Sequence, residues 1–571
     1  MNQPKRWQIA PTLTPQANEA LVKFPAILRQ VLYNRGYATD AKARAFLKAE
    51  TDFDTDPFQM TGMKEAVERL LLAIGQKESI AVYGDYDVDG VTATALLVQT
   101  LRALGGNIQA YIPNRMDEGY GLNPKALDLL KASGVGLVIT VDSGIRSPAE
   151  AAYARSIGLD LIISDHHQPA EGELPFAQAV INPKQAGDRY PEKDLAGVGV
   201  AYKLAQALLS KCEKSGPNFQ LEDVLDLVAL GTVADLVPLV GENRLLVRKG
   251  LQKIRETKRQ GLFSLAAVSD LVLARTTAIS IGFILGPRLN AAGRLESALA
   301  AYDLLTTTDL KQAGELSQQL NNQNRLRQEL TRKIQYEAEA IVQADDPNSP
   351  LLFAVSPEFN SGVVGLAAAR LVETYYRPAV VGQVFEEEGM TRCSCRSIPE
   401  FQITQALDQC KDLLIRHGGH AAAAGFTVSN ENLEPLKKRL KSIAQEQLGS
   451  KDLRQTLNAD AEVPLSDLQF ELLKYLEYLQ PTGYGNPEAA FVTRNVRVTN
   501  RRTVGAEGKH LKLSVTDGRV TFDAIGFRLG HLHSDLPLNV DLLYTFESNE
   551  YNGRTTLQLN LKDVKPAGVP G

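Results

Sequence analysis

Three aspartates occupy alternate positions in one short stretch of the sequence, at Asp85, Asp87 and Asp89. They follow the apolar run at residues 80–82, and the nearly uncharged segment 91–104 after them is typical of a helix packed onto a sheet. Carboxylates this close repel one another in a buried crevice, so a folded chain tolerates them there mainly when a cation neutralises them. The stretch therefore predicts a metal site, and the alternative interpretation is a solvated acidic turn.

The elements that would position these acids are a series of parallel strands. Helical stretches such as 123–132 and 147–157 separate short apolar runs by about a dozen residues or more, which is the spacing of right-handed crossovers between parallel strands. The predicted strands lie at residues 80–82, 108–112, 137–141, 161–163 and 179–181. Ligands of such sheets bind beyond the carboxyl ends of the strands, so the residues that follow each run are the candidates for chemistry.

Further metal-competent side chains stand where two of these strands end. Asp142 follows the third run, and Asp165, His166 and His167 follow the fourth. Asp235 closes an apolar helical stretch, where a buried acid needs a partner. Taken singly, Asp142 could be a turn residue and Asp235 a helix cap. Together with the three aspartates of the first stretch they form a constellation of acids and imidazoles that favours a metal site.

The composition of the chain excludes several classes of protein. It has 571 residues, of which 44% are hydrophobic and 23% charged, and this length predicts three or four globular domains. The N-terminus lacks the apolar core of a signal peptide and no apolar segment is long enough to span a membrane, so we expect a cytoplasmic protein without a membrane partner. Its four cysteines form neither a disulfide framework nor a zinc motif. Because the net charge is −5, any contact with nucleic acid depends on local basic patches.

Motifs spread along the chain resemble those of one enzyme family. The Asp165-His166-His167 triplet after a strand, with the DYDVDG stretch before it, is similar to the signature of the DHH phosphoesterase superfamily. Three further motifs resemble its single-strand-specific 5′ to 3′ DNA exonucleases, at residues 286–294 (GPRLNAAGR), 361–365 (SGVVG) and 418–421 (GGHA). The resemblance covers about residues 60–570 and implies a phosphodiester hydrolase.

The resemblance assigns roles to the candidate residues. It implies that the metal ligands are Asp87, Asp89, Asp142, His166 and Asp235. It also implies catalytic roles for Asp142, Asp165 and His167, with His167 near the scissile phosphate. Asp85 is an additional candidate ligand, since in the wider superfamily a His commonly stands at the position held here by Tyr83. Mixed carboxylate and imidazole ligation fits Mn²⁺ best and Mg²⁺ second, and the resemblance implies two ions.

Candidate substrate-binding residues are spread over several motifs. Arg115 and Tyr120 share one Gly-rich loop, where they suit a 5′-phosphate and a stacked base. The alternative there is a surface loop with an exposed Arg. The resemblance implies that further residues hold the DNA end: Arg288, Asn290, Arg294, Ser361, Gly362, Arg396, Ser397 and His420. For His420, the alternative is a structural glycine turn next to a satisfied His.

Two basic stretches lie outside these motifs. Residues 241–260 hold seven Lys or Arg against two Glu, which is usual for a solvated helix face and would serve as a strand-guiding surface beside a phosphodiesterase site. Residues 491–530 hold eight basic against three acidic side chains, interleaved with Phe491, Phe522 and Phe527. Positive charge with aromatic side chains on a small barrel is typical of a single-strand platform, although some of these Phe belong to the core.

The pattern of elements predicts an α/β chain in five segments with an all-β end. Residues 1–60 are an N-terminal extension, and residues 61–308 form the parallel-sheet catalytic domain. Residues 309–346 form one long linking helix, and residues 347–452 form a second α/β lobe, the DHH-associated domain that the resemblance implies. From 453 to 571 short strands alternate with turns, which predicts an OB-like barrel.

We therefore expect a metal-dependent exonuclease that hydrolyses single-stranded DNA from the 5′ end and releases nucleoside 5′-monophosphates. We also expect a monomer that works in recombination and repair, and the resemblance implies single-strand-binding protein and a helicase as partners. One alternative is a small-substrate phosphodiesterase acting on nanoRNA or cyclic dinucleotides, against which the long helix, the basic stretches and the barrel argue. Another is a catalytically inactive DNA-binding scaffold, against which the retained acids argue.

Overall fold

The structure of the chain is a computed structural model, which describes residues 4–48, 55–114, 118–119, 121–170, 172–212, 219–551 and 554–568. The chain falls into two compact units. The larger unit comprises Trp7–Asn290, Ala298–Ser317 and Thr456–Gly571, and the smaller unit comprises Met1–Arg6, Ala291–Ser297 and Gln318–Gln455. The predicted parallel sheet and the predicted C-terminal barrel therefore belong to one packing unit.

The N-terminal segment carries part of the hydrophobic core of the larger unit. It contributes strand β1 (Arg6–Ile9) and helices α1 (Pro15–Ala20), α2 (Ala26–Asn34) and α3 (Asp40–Lys48). Leu28 and Phe46 are buried in the same apolar cluster as Phe491 of the C-terminal region. These short helices are therefore stabilised by tertiary packing of their apolar faces.

Five parallel strands form the sheet that the sequence predicts. They are β2 (Ser79–Tyr83), β3 (Asn107–Tyr111), β4 (Leu137–Thr140), β5 (Asp160–Ser164) and β6 (Ala179–Ile181). Their order is β3-β2-β4-β5-β6, and every neighbouring pair is parallel. The central strands β2, β4 and β5 are buried, as expected for near-continuous apolar runs in a parallel sheet.

Helices cover both faces of this sheet. They are α4 (Met63–Gly75), α5 (Val88–Ala103), α6 (Pro124–Ala132), α7 (Pro148–Ser156), α8 (Gly197–Ser210) and α9 (Leu225–Ala234). On one face, Leu127 of α6 and Ala151 of α7 share a core cluster with Ile163. On the other, α8 and α9 pack against α5. α5 and α9 are buried along nearly their whole length, which explains why they carry almost no charge.

Residues 241–260 were expected to form a surface that guides a DNA strand. For three arginines of this basic stretch that expectation is wrong. Its helix, α10 (Gly241–Arg255), packs against α9. Arg244 is 2% exposed and donates to three backbone carbonyls in the segment 478–481. Arg248 donates to a backbone carbonyl of α3, and Arg259 Nε lies 2.8 Å from Asp226 Oδ2. These guanidiniums hold parts of the larger unit together, and the exposed lysines of the stretch are Lys249, Lys253 and Lys258.

A series of shorter helices leads to one long helix. The shorter ones are α11 (Gln260–Val268), α12 (Ala278–Ser280), α13 (Gly286–Leu295) and α14 (Leu299–Thr306), with a π-turn at Ile281–Leu285 before α13. α15 (Leu310–Asp345) has 36 residues, which confirms the long helix predicted over this segment. Within the described ranges, no helix combines the length and the apolar character needed to cross a membrane.

The smaller unit contains the second α/β lobe. Its strands are β7 (Leu352–Ser356), β8 (Ala379–Phe385), β9 (Met390–Arg396), β10 (Leu414–His420) and β11 (Ala423–Ser429), in the order β10-β11-β9-β8-β7. β7 and β8 are parallel, and the other pairs are antiparallel. α16 (Val364–Tyr375) packs on one face of this sheet. α17 (Ile403–Asp408) and α18 (Leu433–Leu448) pack on the opposite face with Cys393 and Phe426.

The C-terminal region forms the predicted barrel. Its elements are β12 (Thr456–Ala459), β13 (Ala461–Glu462), α19 (Phe470–Glu477), β14 (Ala490–Val504), β15 (His510–Thr516), β16 (Thr521–Gly526), β17 (Asn539–Tyr551) and β18 (Arg554–Pro566). The five long strands follow the order β14-β15-β16-β18-β17, and pairing of β14 with β17 closes the ring. Phe491 and Phe522 lie in the core, whereas Phe527 is 56% exposed. Of the three predicted platform aromatics, Phe527 is therefore the one available at the surface.

Candidate metal centre

The carboxyl ends of β2, β4 and β5, with the end of α9, bring the predicted ligands into one cluster. Seven side chains offer ligand atoms in three groups, and within each group these atoms lie within 4.8 Å of one another. The groups are Asp85, Asp87 and Asp142; Asp89, His166 and Asp235; and Asp142, His166 and His167. Because Asp142 and His166 each belong to two groups, the three groups form one continuous centre.

Two helix N-termini fix the first carboxylates of this centre. Asp87 is the N-cap of α5, and its Oδ1 accepts hydrogen bonds from the backbone nitrogens of Asp89 (2.9 Å) and Gly90 (3.1 Å). Asp89 is buried, and its carboxylate accepts hydrogen bonds from the backbone nitrogens of Gly197 (2.6 Å) and Val198 (2.8 Å). A helix N-terminus favours negative charge. α8 therefore compensates part of the charge of Asp89 and sets its orientation.

Glycines let two helices approach the centre this closely. A Cβ atom at Gly197 would lie 2.7 Å from the Cβ and 2.9 Å from the Oδ1 of Asp142. A Cβ atom at Gly231 of α9 would lie 2.8 Å from Asp89 Oδ1. Real Cβ atoms do not approach their neighbours this closely, so α8 and α9 reach the centre because these positions lack a side chain.

His166 stands among three carboxylates. Its Nε2 lies 3.1 Å from Asp142 Oδ1, 3.5 Å from Asp235 Oδ2 and 3.8 Å from Asp89 Oδ2. Burial lowers the pKa of His166 to about 3, and the neighbouring His167 contributes to this shift. A neutral imidazole is the form that ligates a metal, so the site presents His166 in its ligating state.

The carboxylates around His166 have raised pKa values, which is the opposite shift. Burial, followed by the charge of Asp87, raises the pKa of Asp89 to about 7. Burial, with the charges of Asp89 and Asp87, raises the pKa of Asp235 to about 9. Burial and the charge of Asp89 raise the pKa of Asp142 well above its usual range. Crowded carboxylates with a neutral imidazole form the donor set of Mn²⁺ or Mg²⁺, and the residues present therefore fit such an ion, whose charge would offset this repulsion.

Asp165 lies behind the two histidines and orients them. Its Oδ1 accepts hydrogen bonds from His167 Nδ1 (2.8 Å) and from the backbone nitrogens of His166 (2.7 Å) and His167 (3.0 Å). Its Oδ2 accepts a hydrogen bond from the Ile145 nitrogen (2.9 Å). Burial opposes ionisation of Asp165, but the hydrogen bond from His167 leaves its pKa lowered. For His167 burial acts to lower the pKa, while the bond to Asp165 raises it on balance.

Tyr83 points away from the centre, and Asp85 belongs to it. The Tyr83 hydroxyl donates to the Gly121 carbonyl (3.0 Å) and accepts from Asn123 Nδ2 (3.2 Å). Its ring stacks on Tyr111 with centroids 5.0 Å apart, and burial raises its pKa. Asp85 shares a ligand group with two other aspartates and is buried. The Tyr83 side chain thus supports the neighbouring loop, while Asp85 belongs to the cluster.

Two polar residues that support the site were missed by the sequence analysis. Asn182 follows β6, is fully buried, and donates from Nδ2 to the His167 carbonyl (2.9 Å). Glu118 accepts from the Tyr111 hydroxyl (2.6 Å) and from Asn123 Nδ2 (3.1 Å), which ties down the loop between β3 and α6. The Asn-Pro pair directly after a strand was the available signal for Asn182. Glu118 stands in the Gly-rich loop of Arg115 and Tyr120, but an acidic residue in a loop gives no signal of its own.

The predicted substrate-binding residues of the larger unit have different positions. Arg115 and Tyr120 lie outside the described residues. Asn290 of α13 accepts a hydrogen bond on Oδ1 from the Val88 nitrogen (3.1 Å), which places it against the start of α5 and the metal loop. Arg288 of the same helix donates to a carbonyl one turn earlier (2.8 Å). Of these four residues, Asn290 is the one that the structure places directly beside the metal loop.

The other predicted substrate-binding residues lie in the smaller unit. Arg396 at the end of β9 and His420 at the end of β10 stand in one row of the sheet, on either side of Ala423. A Cβ atom at Gly365, in the first turn of α16, would lie 3.3 Å from Arg396 Nη2. The contact of Ser397 is local, because its Oγ donates a hydrogen bond to the backbone carbonyl of Phe401 (2.6 Å). Ser361, Gly362 and Arg294 meet before α16, where the Gly362 position leaves no room for a Cβ beside the Arg294 carbonyl.

Comparison with known proteins matches the chain in three segments. The family model of the DHH family N-terminal domain matches residues 79–232, that of the DHHA1 domain matches 348–446, and that of the RecJ OB domain matches 459–563. The single-stranded-DNA-specific exonuclease RecJ of Bacillus subtilis is 39% identical over 94% of this chain and 68% of its own length. The protein of the same name from Salmonella typhimurium is 36% identical over 95% of this chain and 96% of its own length.

Solved structures agree with these matches. RecJ from Thermus thermophilus in complex with Mn²⁺ has a TM-score of 0.84 at 29% identity, over 99% of this chain and 80% of that chain. Its complex with Mg²⁺ has a TM-score of 0.79 at 28% identity, over 99% and 79% of the two chains. Together with the three domain matches in this order, these likenesses show that the chain belongs to the RecJ family of the DHH superfamily.

Proposed function

We propose that this protein is a metal-dependent exonuclease that hydrolyses single-stranded DNA from the 5′ end to nucleoside 5′-monophosphates. The observation that carries the proposal is the largely buried centre of five aspartates and two histidines at the carboxyl edge of a parallel sheet. The relatives are named as single-stranded-DNA-specific exonucleases, which supports the substrate class. The match to the RecJ OB domain supports a single strand as ligand.

Six residues would hold the metal: Asp85, Asp87, Asp89, Asp142, His166 and Asp235. We assign Mn²⁺ or Mg²⁺, because related structures are complexes with these ions and the donors are mainly carboxylates. Two of the ligand groups share no residue, which favours two ions. When bound, the metal lowers the pKa of water and neutralises charge on the phosphate.

His167 would act on the scissile phosphate. Asp165 binds its Nδ1, so Nε2 is the nitrogen that would contact substrate. Through Nε2, His167 would hydrogen-bond a phosphate oxygen or give a proton to the leaving 3′-oxygen. Asn182 holds the backbone carbonyl of His167, so the imidazole is positioned from two sides.

Residues of several motifs would bind the DNA end. Arg115 and Tyr120 would bind the 5′-phosphate and stack on a base, an assignment that rests on the family resemblance. The remaining candidates would fix the backbone of the strand: Arg288, Asn290, Arg294, Ser361, Gly362, Arg396, Ser397 and His420. Guanidinium and hydroxyl groups with close backbone approach suit phosphate contacts.

In the cell, we assign the protein to DNA recombination and repair in the cytoplasm. It would act as a monomer beside a single-strand-binding protein and a helicase, which supply the single strand that it degrades. Family membership supports this assignment.

The proposal is tested with purified protein, Mn²⁺ and three substrates: a long single strand, the same strand in a blunt duplex, and a dinucleotide. We expect rapid release of mononucleotides from the single strand and little release from the duplex. Faster turnover of the dinucleotide than of the long strand would instead support a small-substrate phosphodiesterase. Binding of the strand without hydrolysis would support an inactive scaffold.

A further inference from the structure

The sheet of the smaller unit carries a pair of arginines that none of the motifs above includes. Arg416 of β10, Thr427 of β11 and Arg392 of β9 are direct cross-strand neighbours. Cross-strand neighbours project to the same face of a sheet, so both guanidiniums stand on one face. The Nε of Arg416 donates to the Thr427 hydroxyl (3.2 Å), which joins two members of the row.

This face also carries Arg396 and His420. Side chains alternate between faces along a strand, so Arg392 and Arg396 share one face of β9, and Arg416 and His420 share that face of β10. The buried Cys393 occupies the opposite face, beneath α17 and α18. The row of Arg416 and Arg392 is four residues from the row of His420 and Arg396, or about 13 Å at about 3.3 Å per residue.

Glycines form the floor between the two rows. Gly418 and Gly425 are cross-strand neighbours, and a Cβ atom at Gly418 would meet nothing within 4 Å. A groove of about 330 Å³ opens here and is lined by Arg392, Arg416, Gly418, Gly425 and Thr427 with adjoining residues. Glycine within a strand often marks the close approach of another backbone or a ligand. The floor therefore leaves room for a sugar-phosphate backbone beside the arginines.

The two guanidiniums differ in their surroundings. Arg416 is exposed, and among the described residues its guanidinium pairs with no carboxylate. Arg392 is 36% exposed in its side chain, lies over the ring of Phe385, and pairs with Glu388, Nη2 to Oε2 2.6 Å. These contacts hold Arg392 at the edge of the groove, while Arg416 offers the less compensated charge. Guanidinium groups bind phosphate oxygens through two parallel hydrogen bonds.

We propose that Arg416 and Arg392 bind a backbone phosphate of the single strand, at a nucleotide other than the one that His420 contacts. The distance between the rows exceeds the separation of adjacent phosphates, so the two rows would contact different nucleotides. The inference rests on the proposed function and deepens it, because it assigns a second, length-dependent contact to the same substrate. The lobe would thus grip long strands more tightly than short ones.

The test compares Arg416→Ala and the double variant Arg416→Ala/Arg392→Ala with the wild-type protein in Mn²⁺. The substrates are a long 5′-phosphorylated oligothymidylate and a 5′-phosphorylated dinucleotide, which is too short to reach the second row. We expect the KM of Arg416→Ala for the long strand, relative to that for the dinucleotide, to rise about tenfold, as for the loss of one charge-assisted hydrogen-bonded contact. In a plot of log KM for the long strand against log salt concentration, the slope should fall by about one unit for each contact removed.

Arg439→Ala is the matched control, because Arg439 is an exposed arginine of α18, on the other face of the sheet, where it pairs with Asp412. We expect its KM ratio and salt slope to equal those of the wild type. An equal rise of both KM values in the arginine variants, or an unchanged long-strand KM and salt slope in the double variant, would overturn the inference. If the wild-type protein hydrolyses neither substrate, the proposed function fails, and that outcome is distinct because it appears before any variant is compared.

Discussion

Asp85 is the ligand candidate whose role the sequence left most open. The sequence places it two residues after Tyr83, and strand alternation would put both side chains on one side. β2 ends at Tyr83, however, so the alternation stops there. The Tyr83 hydroxyl binds the loop at Gly121 and Asn123, and Asp85 belongs to the ligand cluster. Such a change of direction depends on where a strand ends, which a single sequence does not fix to one residue.

We expect Asp85→Asn to weaken Mn²⁺ binding about tenfold or more, because the change removes one anionic donor from a carboxylate centre. Calorimetric titration of the full-length protein with Mn²⁺ measures the effect. Asp128→Asn is the matched control, since Asp128 is an exposed aspartate of α6 whose carboxylate accepts from the Tyr153 hydroxyl. Wild-type affinity in Asp85→Asn would mean that Asp85 only shapes the turn.

The other ligand candidates show what residue types can predict. Asp142, His166 and Asp235 were identified because acids and imidazoles after apolar runs meet at one edge of a parallel sheet, and the structure brings them together. Asn182 was missed because its partner is the backbone of His167, fifteen residues earlier in the chain. A partner of that kind becomes visible only when the two strands are placed side by side.

At the scale of elements, α8 depends on one glycine to reach the centre. We expect Gly197→Ala to destabilise the protein by about 1–3 kcal/mol, as for overpacking, and to weaken Mn²⁺ binding, because its Cβ would lie 2.7 Å from the Asp142 Cβ. Denaturant unfolding and Mn²⁺ titration measure the two effects.

Gly199→Ala provides the control on the same helix. Its Cβ would lie 3.4 Å from the Leu195 side chain, an ordinary contact. Alanine in a helix interior is more favourable than glycine by up to about 1 kcal/mol, so this variant should be neutral or stabilised. Equal effects of the two substitutions would contradict the assigned role of Gly197.

α10 shows where composition misleads. Its basic residues look like a solvated or DNA-guiding face, but Arg244 is buried against backbone carbonyls of the segment 478–481. We expect Arg244→Ala to destabilise the protein by about 3–5 kcal/mol, because it opens a cavity and removes a hydrogen bond from each of these carbonyls. The carbonyls of residues 479 and 481 then keep only their bond from Asn486 Nδ2. Lys253→Ala on the exposed face should change stability by no more than about 0.5 kcal/mol. Thermal and denaturant unfolding measure both, and similar small effects would contradict the buried role of Arg244.

At the scale of the whole molecule, the periodic elements were predictable and their grouping was not. The strands of the parallel sheet and α15 lie within a few residues of their predicted positions, because apolar runs and helical apolar patterns are local signals. The N-terminal helices carry the same kind of signal, yet Phe46 and Leu28 share a core with Phe491 of the barrel. Contacts across several hundred residues leave no local pattern, so the joining of sheet, barrel and N-terminal segment in one unit appears only in the structure.

The metal should also stabilise the molecule. Ion binding to the folded centre offsets the repulsion of its carboxylates, and a ligand at one hundred times its Kd adds about 2.7 kcal/mol. We therefore expect Mn²⁺ to raise the Tm and a chelator to reverse the rise. Asp142→Ala should abolish the Mn²⁺-dependent part of the shift. A Tm that is the same with Mn²⁺ and with the chelator would contradict a preformed centre.

The most direct test of the central claim follows single strands labelled at either end during digestion with Mn²⁺, by the wild-type protein and by Asp142→Ala. The 5′-label should appear at once as a mononucleotide while the 3′-labelled strand shortens stepwise. Asp142→Ala should give no product and still bind the strand, because Asp142 belongs to the metal centre and not to the strand-binding lobe. Shortening from the 3′ end, or wild-type turnover by Asp142→Ala, would contradict the account.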